Sequence, residues 1–331
     1  MTHNQYLHAD KLKHLAFTAV ATLFFLCTSS QCKAQKDSLE AIEKIRETGA
    51  FVRLGDDGRV VDINAAISRF TNDDMVHLKT MTAIVELNLN RQPINDNGIR
   101  QIKALSKLEQ LFLGESKITD ESLSTIASFR QLKTLFVNNT DISGVGIAKL
   151  ATLSDLTKLS LTGTRITDEG MKAISNLANL DSLYIEKTKV GDEGLKHISK
   201  LKKIQCLILI DTAITDEGLK EIAKLSDLRT LFLDGTKITN DGLKHLAELD
   251  NLFTLYLDRT KVTDDALKVL ATFKSLRHVS VKKTRITELA GAAFVKANPS
   301  VKLTPYGVEK LPKLFEFDPD GEFYEMLDDD K

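Results

Sequence analysis

The chain has 331 residues, of which 42% are hydrophobic and 27% are charged, and its formal net charge is −1. This composition is that of an ordinary folded protein and excludes disorder over most of the length. A net charge so close to zero gives no field that would attract a nucleic-acid backbone or an anionic membrane, so we expect neither as a partner. The length would allow two ordinary domains unless an internal repeat is present.

Residues 1–34 have the three parts of a secretory signal peptide. Lys11 and Lys13 form a basic region, an apolar run covers 15–27, and small residues precede a cleavage site between Ala34 and Gln35. The apolar run is too short for a comfortable membrane span. We therefore expect export to the periplasm, the cell surface or the medium, with no membrane span in the mature chain. An uncleaved membrane anchor is the alternative.

The three cysteines support the same interpretation. Cleavage would remove Cys27 and Cys32 and leave Cys206 as the last cysteine, so no internal disulfide could form. Extracellular repeat proteins of animals and plants often close their ends with cystine-bearing caps, so this pattern favours a bacterial exported protein. Lipid attachment to Cys27 or Cys32 is a minor alternative, because neither follows a small residue.

A period of 24 residues runs through the chain without an insertion or deletion. Its first apolar column is Leu87, Leu111, Leu135, Leu159, Leu183, Leu207, Leu231, Leu255 and Val279. A second apolar column follows two residues later in each unit. This alternation predicts one short strand per unit, with one buried face.

A short helix is predicted after each strand. In one unit Thr215 and Asp216 place a hydroxyl and a carboxylate where the first amides of a helix need caps. The apolar positions that follow line a single stripe: Leu219, Ile222, Leu225 and Leu228. A unit of one strand and one helix cannot bury its apolar faces alone, so neighbouring units must stack.

The unit L-x-x-L-x-L-x-x-T-x-I-T-D-x-G-L resembles the leucine-rich repeat superfamily, in its T-x-I-T-D-x-G-L class, over residues 59–303. The resemblance implies an α/β solenoid, a right-handed horseshoe or arc with a parallel β-sheet on the concave face and short helices on the convex face. It also implies recognition as the shared activity, with no shared chemistry. Related repeats carry Asn or Cys where this chain has Thr212 and its equivalents. We expect the hydroxyl to bond backbone groups of the adjacent turn, so that the position keeps its ladder role.

The two ends of the repeat region are predicted to differ from its middle. Residues 35–58 should form an N-terminal cap, with a helix over 38–48 closed by Gly49 and the first strand of a hairpin that turns at Asp57 and Gly58. Residues 304–331 should form a C-terminal extension. There, 314–317 and 322–324 flank an Asp-Pro-Asp-Gly turn, which suggests a second hairpin.

The residue between the two inward columns must point out of the concave face of the sheet. This outward column reads Asn88, Phe112, Phe136, Ser160, Tyr184, Ile208, Phe232, Tyr256 and Ser280. We expect its large residues to form an exposed apolar band that binds a partner. The predicted contact residues are Phe112, Phe136, Tyr184, Ile208, Ile210, Phe232 and Tyr256, with Asp234 and Asp258 on the polar rim. The alternative is that such residues simply suit a pleated sheet and stabilise it.

No catalytic, metal or cofactor site is predicted. The recurring aspartates, such as Asp168 and Asp216, lie near helix starts, where capping explains them better than a cation does. Cys206 has Ser182 and Thr230 as repeat neighbours, and neither is a base that could activate a thiol. The sequence has no nucleophile-elbow or phosphate-loop motif. We therefore expect a protein that is not an enzyme.

Two functions remain open. The first is an exported recognition module that binds a protein, or less favourably a glycan, on its concave face. The second is an intracellular substrate receptor, because this repeat class resembles the substrate-binding half of F-box ubiquitin-ligase receptors. Against the second, the residues before the repeats contain no F-box-like segment, and a signal peptide occupies their place.

Overall fold

The computed structural model describes residues 39–305, which form one open sheet of twelve strands in chain order. Strands β1 and β2 are antiparallel, and every later neighbour is parallel. The strands are β1 (Phe51–Leu54), β2 (Val60–Asn64), β3 (Glu86–Asn88), β4 (Gln110–Phe112), β5 (Thr134–Phe136), β6 (Lys158–Ser160), β7 (Ser182–Tyr184), β8 (Cys206–Ile208), β9 (Thr230–Phe232), β10 (Thr254–Tyr256), β11 (His278–Ser280) and β12 (Lys302–Thr304).

Helices alternate with the strands. They are α1 (39–47), α2 (Met75–Leu78), α3 (Asp96–Gln101), α4 (Ser122–Ile126), α5 (Gly144–Ile147), α6 (Asp168–Ile174), α7 (Asp192–Leu195), α8 (Asp216–Ile222), α9 (Asn240–Leu246), α10 (Asp265–Leu270) and α11 (Glu288–Ala297). Short 3₁₀ helices, Ala148–Thr152 and Ile198–Lys200, follow α5 and α7. In the described part of the chain, no helix is long and apolar enough to cross a membrane.

Neighbouring parallel strands pair residues that are 24 positions apart, which is the period of the sequence. Leu207 pairs with Leu231, and Leu231 pairs with Leu255, so equivalent residues of successive units lie side by side. Both inward columns are buried, and they belong to one continuous core with the apolar residues of the helical side. The predicted solenoid of parallel strands and short helices is confirmed.

The helices are shorter than the apolar stripe suggested. Helix α8 ends at Ile222, although Leu225 and Leu228 behind it are also fully buried. Those two leucines lie in turns, where Leu225 N and Leu228 N each donate to a carbonyl three residues earlier. A spacing of three residues suits such turns better than an α-helix of 3.6 residues per turn.

On the turn side, most repeats are joined to the next one by a carboxylate or amide side chain that accepts a backbone amide of the next repeat. We call this contact the clasp. Asp216 Oδ1 accepts from Thr239 N at 2.7 Å, and Asp216 Oδ2 accepts from Thr239 Oγ1 at 2.6 Å. The clasp residues are Asn72, Asp96, Asp120, Asp168, Asp192, Asp216, Asn240 and Asp264, and each accepts a backbone amide of the following repeat. The sequence predicts that these side chains cap the helix of their own repeat. They instead accept an amide at the helix start of the following repeat.

The glycine of the T-x-I-T-D-x-G-L motif leaves room for this clasp. A Cβ atom on Gly242 would overlap Asp216 Oδ1, and one on Gly218 would overlap Asp192 in the same way. In the repeat of α4 the equivalent residue is Ser122, whose Oγ donates to Asp96 Oδ1 at 2.5 Å. In the repeats that carry this glycine, the Asp and Gly of the motif thus act as a pair that belongs to two successive repeats. The last two repeats have Ala266 and Ala290 at the glycine position and keep the clasp.

The threonine column bonds inside its own repeat. Thr212 Oγ1 donates to Leu209 O at 2.6 Å, and Thr236 Oγ1 donates to Leu233 O at 2.5 Å. The expected hydroxyl bond to the turn backbone is confirmed. It closes each turn and does not link one repeat to the next.

The first repeat is preceded by a helix and a hairpin. Helix α1 buries Ile42 and Ile45 but leaves Leu39 44% exposed, so Leu39 does not share the buried side that the sequence suggested. Gly49 has a positive φ of 95°, which suits the end of that helix. Gly58 lies in the turn between β1 and β2. The predicted signal peptide and the C-terminal hairpin lie outside the described residues.

Candidate binding surface on the sheet

The outward column lies side by side across the sheet, as the repeat phase requires. Phe112 pairs with Phe136 in the β4–β5 register, Tyr184 with Ile208, and Phe232 with Tyr256. The column also continues beyond the repeats, because Phe51 of β1 pairs with Asn64, which pairs with Asn88. Phe51 is 63% exposed. Sequence reasoning missed this residue, although the predicted hairpin and its alternation could have placed it.

The exposure expected for the first part of the column is wrong. Phe112, Phe136, Tyr184 and Ile208 retain only 6%, 2%, 2% and 5% of their accessible surface. The side chains pack on one another, with Phe112 and Phe136 edge to face at 5.2 Å between ring centroids. Phe136 and Tyr184 meet in the same way at 5.8 Å. They can do so across β6 because its residue in the column is the small Ser160.

The accessible part of the column lies at β9 and β10. Phe232 and Tyr256 are partly exposed and stack in parallel, with ring centroids 4.1 Å apart and an interplanar angle of 9°. Ile210 is also partly exposed and packs against the same apolar cluster. This end therefore offers flat aromatic surface, whereas the β4–β7 end has its rings largely buried.

Two carboxylates lie beside the stacked rings. They are Asp234 and Asp258, each two residues after the ring residue that ends its strand. Asp234 Oδ1 accepts from Asp258 N at 3.0 Å. Asp258 Oδ1 accepts from Ser280 Oγ at 2.6 Å and from Lys282 N at 2.7 Å. Asp234 retains only 7% of its surface, so it is not part of an exposed rim as expected.

The buried position changes the acid–base properties of this corner. Burial, followed by the nearby charge of Asp258, raises the pKa of Asp234 to about 7. Burial, followed by the charges of Asp234 and Asp258, raises the pKa of Tyr256 to about 12. Burial also raises the pKa of Glu186, one strand beyond Ile210. The tyrosine therefore keeps its hydroxyl proton at neutral pH, while Asp234 titrates near neutrality.

An ion pair that spans two repeats borders the same corner. Arg259 Nη1 lies 2.7 Å from Asp211 Oδ1, and the two residues are two units apart. Gly235 is the equivalent residue of the repeat between Asp211 and Arg259. It has a positive φ of 69°, and a Cβ there would overlap the Asp211 carboxylate. The glycine therefore serves both the left-handed turn and the close approach of the two charged side chains.

Comparison with known families identifies the fold. A sequence profile described as the leucine-rich repeat region matches residues 58–298, well over half of the chain. The chain is a leucine-rich repeat protein. No curated protein matches it in sequence.

Solved leucine-rich repeat structures resemble it in fold. An internalin from Listeria monocytogenes superposes with a TM-score of 0.56 at 21% identity, over 70% of each chain. A leucine-rich repeat protein of Leptospira interrogans gives 0.51 at 20% identity, over 69% of this chain and 62% of its own. Internalin C2 from Listeria monocytogenes gives 0.52 at 24% identity, over 75% of this chain and 92% of its own.

In this leucine-rich repeat protein, the apolar residues among the predicted contacts pack into one continuous cluster. Phe112, Phe136, Tyr184, Cys206 and Ile208 form a single cluster, against which Ile210 and Phe232 pack. Tyr256 joins it through the stack with Phe232. Across residues 39–305, no group of three His, Cys, Asp or Glu side chains is placed to hold a metal ion. The surface is therefore apolar and aromatic at its centre, with carboxylates on one side.

Proposed function

We propose that this leucine-rich repeat protein is an exported, non-enzymatic recognition module that binds a protein partner on the concave face. The observation that carries the proposal is the stacked pair of Phe232 and Tyr256, partly exposed beside Ile210 and the carboxylates of Asp234 and Asp258. Aromatic side chains with neighbouring hydrogen-bond acceptors are typical of the energetic centre of protein interfaces.

The export part of the proposal depends on residues 1–34. Their basic, apolar and small-residue parts are those of a cleavable signal. Fractionation of the native host, with mass spectrometry of the N-terminus, tests it directly. A chain that begins at Gln35 outside the cytoplasm is the expected result, and an intact Met1 in the cytoplasm would contradict it.

The binding part is tested by affinity capture with residues 35–331 from the native host. The informative variant is Phe232→Ala with Tyr256→Ala, since these rings are accessible, whereas Tyr184 and Ile208 are buried and would disturb the fold. The matched control is Val145→Ala with Leu289→Ala, which removes apolar side chains that are 82% and 83% exposed on the helical side.

We expect the wild type and the control to capture the same protein and the Phe232/Tyr256 variant to lose at least 90% of it. Truncating two interface aromatics costs about 3 kcal/mol or more, or over 100-fold in affinity. Equal capture by both variants would remove the concave face as the binding surface. Capture abolished by enzymatic deglycosylation of the partner would assign the ligand to a glycan.

A further inference from the structure

The β4–β8 end of the outward column is more deeply buried than its lateral contacts explain. Phe136 and Tyr184 retain 2% of their surface although they lie on the outer face of a single sheet. Their ring contacts with one another and with Phe112 run along the sheet. Such contacts cover the sides of a ring, while the end that points away from the sheet stays open unless another segment lies above it.

The chain itself continues from the edge of this face. Strand β12 ends at Thr304, which lies in the same column as Ser280 and Tyr256. The 26 residues of 306–331 follow it. Between Thr304 and Phe136 there are seven strand spacings, about 34 Å. An extended chain of that length reaches about 85 Å, so it can cross the whole cluster.

The composition of that segment matches the surface. It contains nine large apolar residues, namely Tyr306, Leu311, Leu314, Phe315, Phe317, Phe323, Tyr324, Met326 and Leu327. Such a density of aromatic side chains would leave a large exposed apolar area unless it is covered.

Two of the three basic residues in this otherwise acidic segment come early enough in it to reach the accessible corner. Lys310 and Lys313 precede the apolar run, and the carboxylates of Asp234 and Asp258 lie two or three strands from β12. Three strand spacings are about 14 Å. Six residues of extended chain span about 20 Å, so Lys310 is within reach of this corner.

We propose that residues 306–331 dock on the outward column of their own chain, with Leu314, Phe315 and Phe317 over the Phe136–Ile208 cluster and the two lysines facing the carboxylates. The docking is intramolecular and does not depend on the proposed function. Where a protein partner binds the same face, it must displace this segment, and its apparent affinity is reduced accordingly.

The reactivity of the Cys206 thiol can show whether residues 306–331 cover the cluster. Cys206 lies within the cluster and retains 7% of its accessible surface. In residues 35–331 it is the last cysteine, so its rate of labelling by an aromatic disulfide reagent is measured without interference. The test variant is Leu314→Ser, Phe315→Ser and Phe317→Ser. The control places three serines at the far end of the same segment, as Asp328→Ser, Asp329→Ser and Asp330→Ser.

We expect the test variant to label at least 10-fold faster than both the wild type and the control, with unchanged far-ultraviolet circular dichroism. The charge reversal Lys310→Glu with Lys313→Glu is a second variant, and it should also accelerate labelling, most strongly at low salt. Equal rates in all four proteins would overturn the proposal.

A further arm distinguishes the two ends of the chain. The full chain with Cys27→Ser and Cys32→Ser is compared with residues 35–331. Slow labelling in both supports docking of the C-terminal segment. Slow labelling only in the full chain would assign the cover to residues 1–34 and overturn the proposal. No partner is present in these measurements, so their outcome is separate from that of the capture experiment.

Discussion

The turn side and the sheet face of this solenoid have the same 24-residue period but differ in how much their residues vary. On the turn side the clasp position from Asn72 to Asp264 is Asp or Asn in every repeat except that of Gly144, and each of these side chains accepts a bond from an amide of the next repeat. On the sheet face the outward column changes from Asn88 to Phe112, Ser160 and Ile208. A clasp side chain must accept a hydrogen bond from the next repeat, so its residue type hardly varies. A position in the outward column has no such bond to make, so its residue type can vary and give the face its surface properties.

The largest expected effect is on the clasp and comes from Gly242→Ala. Helix propensity alone predicts a gain of about 1 kcal/mol for this change in α9. Overlap of the new Cβ with Asp216 Oδ1 opposes this gain, because the carboxylate must shift, and predicts instead a loss of about 2 kcal/mol in the free energy of unfolding, measured in urea. Gly242→Ser should lose less, because Ser122 already shows a serine bonded to a clasp carboxylate. A net gain for Gly242→Ala would remove the steric role of the glycine.

A second way to break the clasp is to remove its acceptor. Asp216→Ala leaves Thr239 N and Thr239 Oγ1 without their acceptor, and we expect a loss of about 2 kcal/mol in urea unfolding. Asp216→Asn should lose under about 1 kcal/mol, because Asn240 makes the equivalent two bonds to Thr263 in the next repeat. Equal losses for the two variants would show that the negative charge, and not the hydrogen-bond pattern, holds the repeats.

On the sheet face, Asp234 is expected to make stability depend on pH. Its pKa is about 7 when folded against a usual 3.8, so between these values the folded state binds a proton that the unfolded state does not. The free energy of unfolding therefore falls as the pH rises through this window. Asp234→Asn should flatten that fall and stabilise the protein at pH 8 by about 1 to 2 kcal/mol, with little change at pH 4. Parallel pH profiles of wild type and variant would contradict the raised pKa.

The smallest expected effect comes from adding the hydroxyl bond that the Asp168 clasp lacks. Asp168 accepts only Gly191 N, at 2.7 Å, where other repeats add a threonine hydroxyl. The backbone at Gly191 has φ −123° and ψ −163°, close to that of Thr215, and its Cβ would meet nothing nearer than 3.7 Å. Gly191→Thr should therefore stabilise the protein by about 1 kcal/mol. Gly191→Ala supplies the Cβ without the hydroxyl and should gain less.

Much of the candidate surface could be placed from the sequence. The members of the outward column were found by phase alone, because a parallel register with equal repeats puts residues 24 apart next to each other. Their exposure could not be found in this way. Whether a ring such as Phe136 is open depends on what packs beside it and above it, and Ser160 leaves the space that lets Phe136 and Tyr184 meet side by side.

The sequence by itself determined the repeat, the strand and helix order and the inward columns, because apolar periodicity reports which side of a local element must be buried. Only the tertiary structure decided where the clasp bonds go, that Asp234 is buried beside Asp258, and that Phe51 extends the sheet face. These features join residues of different repeats or of the hairpin. Their geometry depends on stacking distances that no single repeat contains.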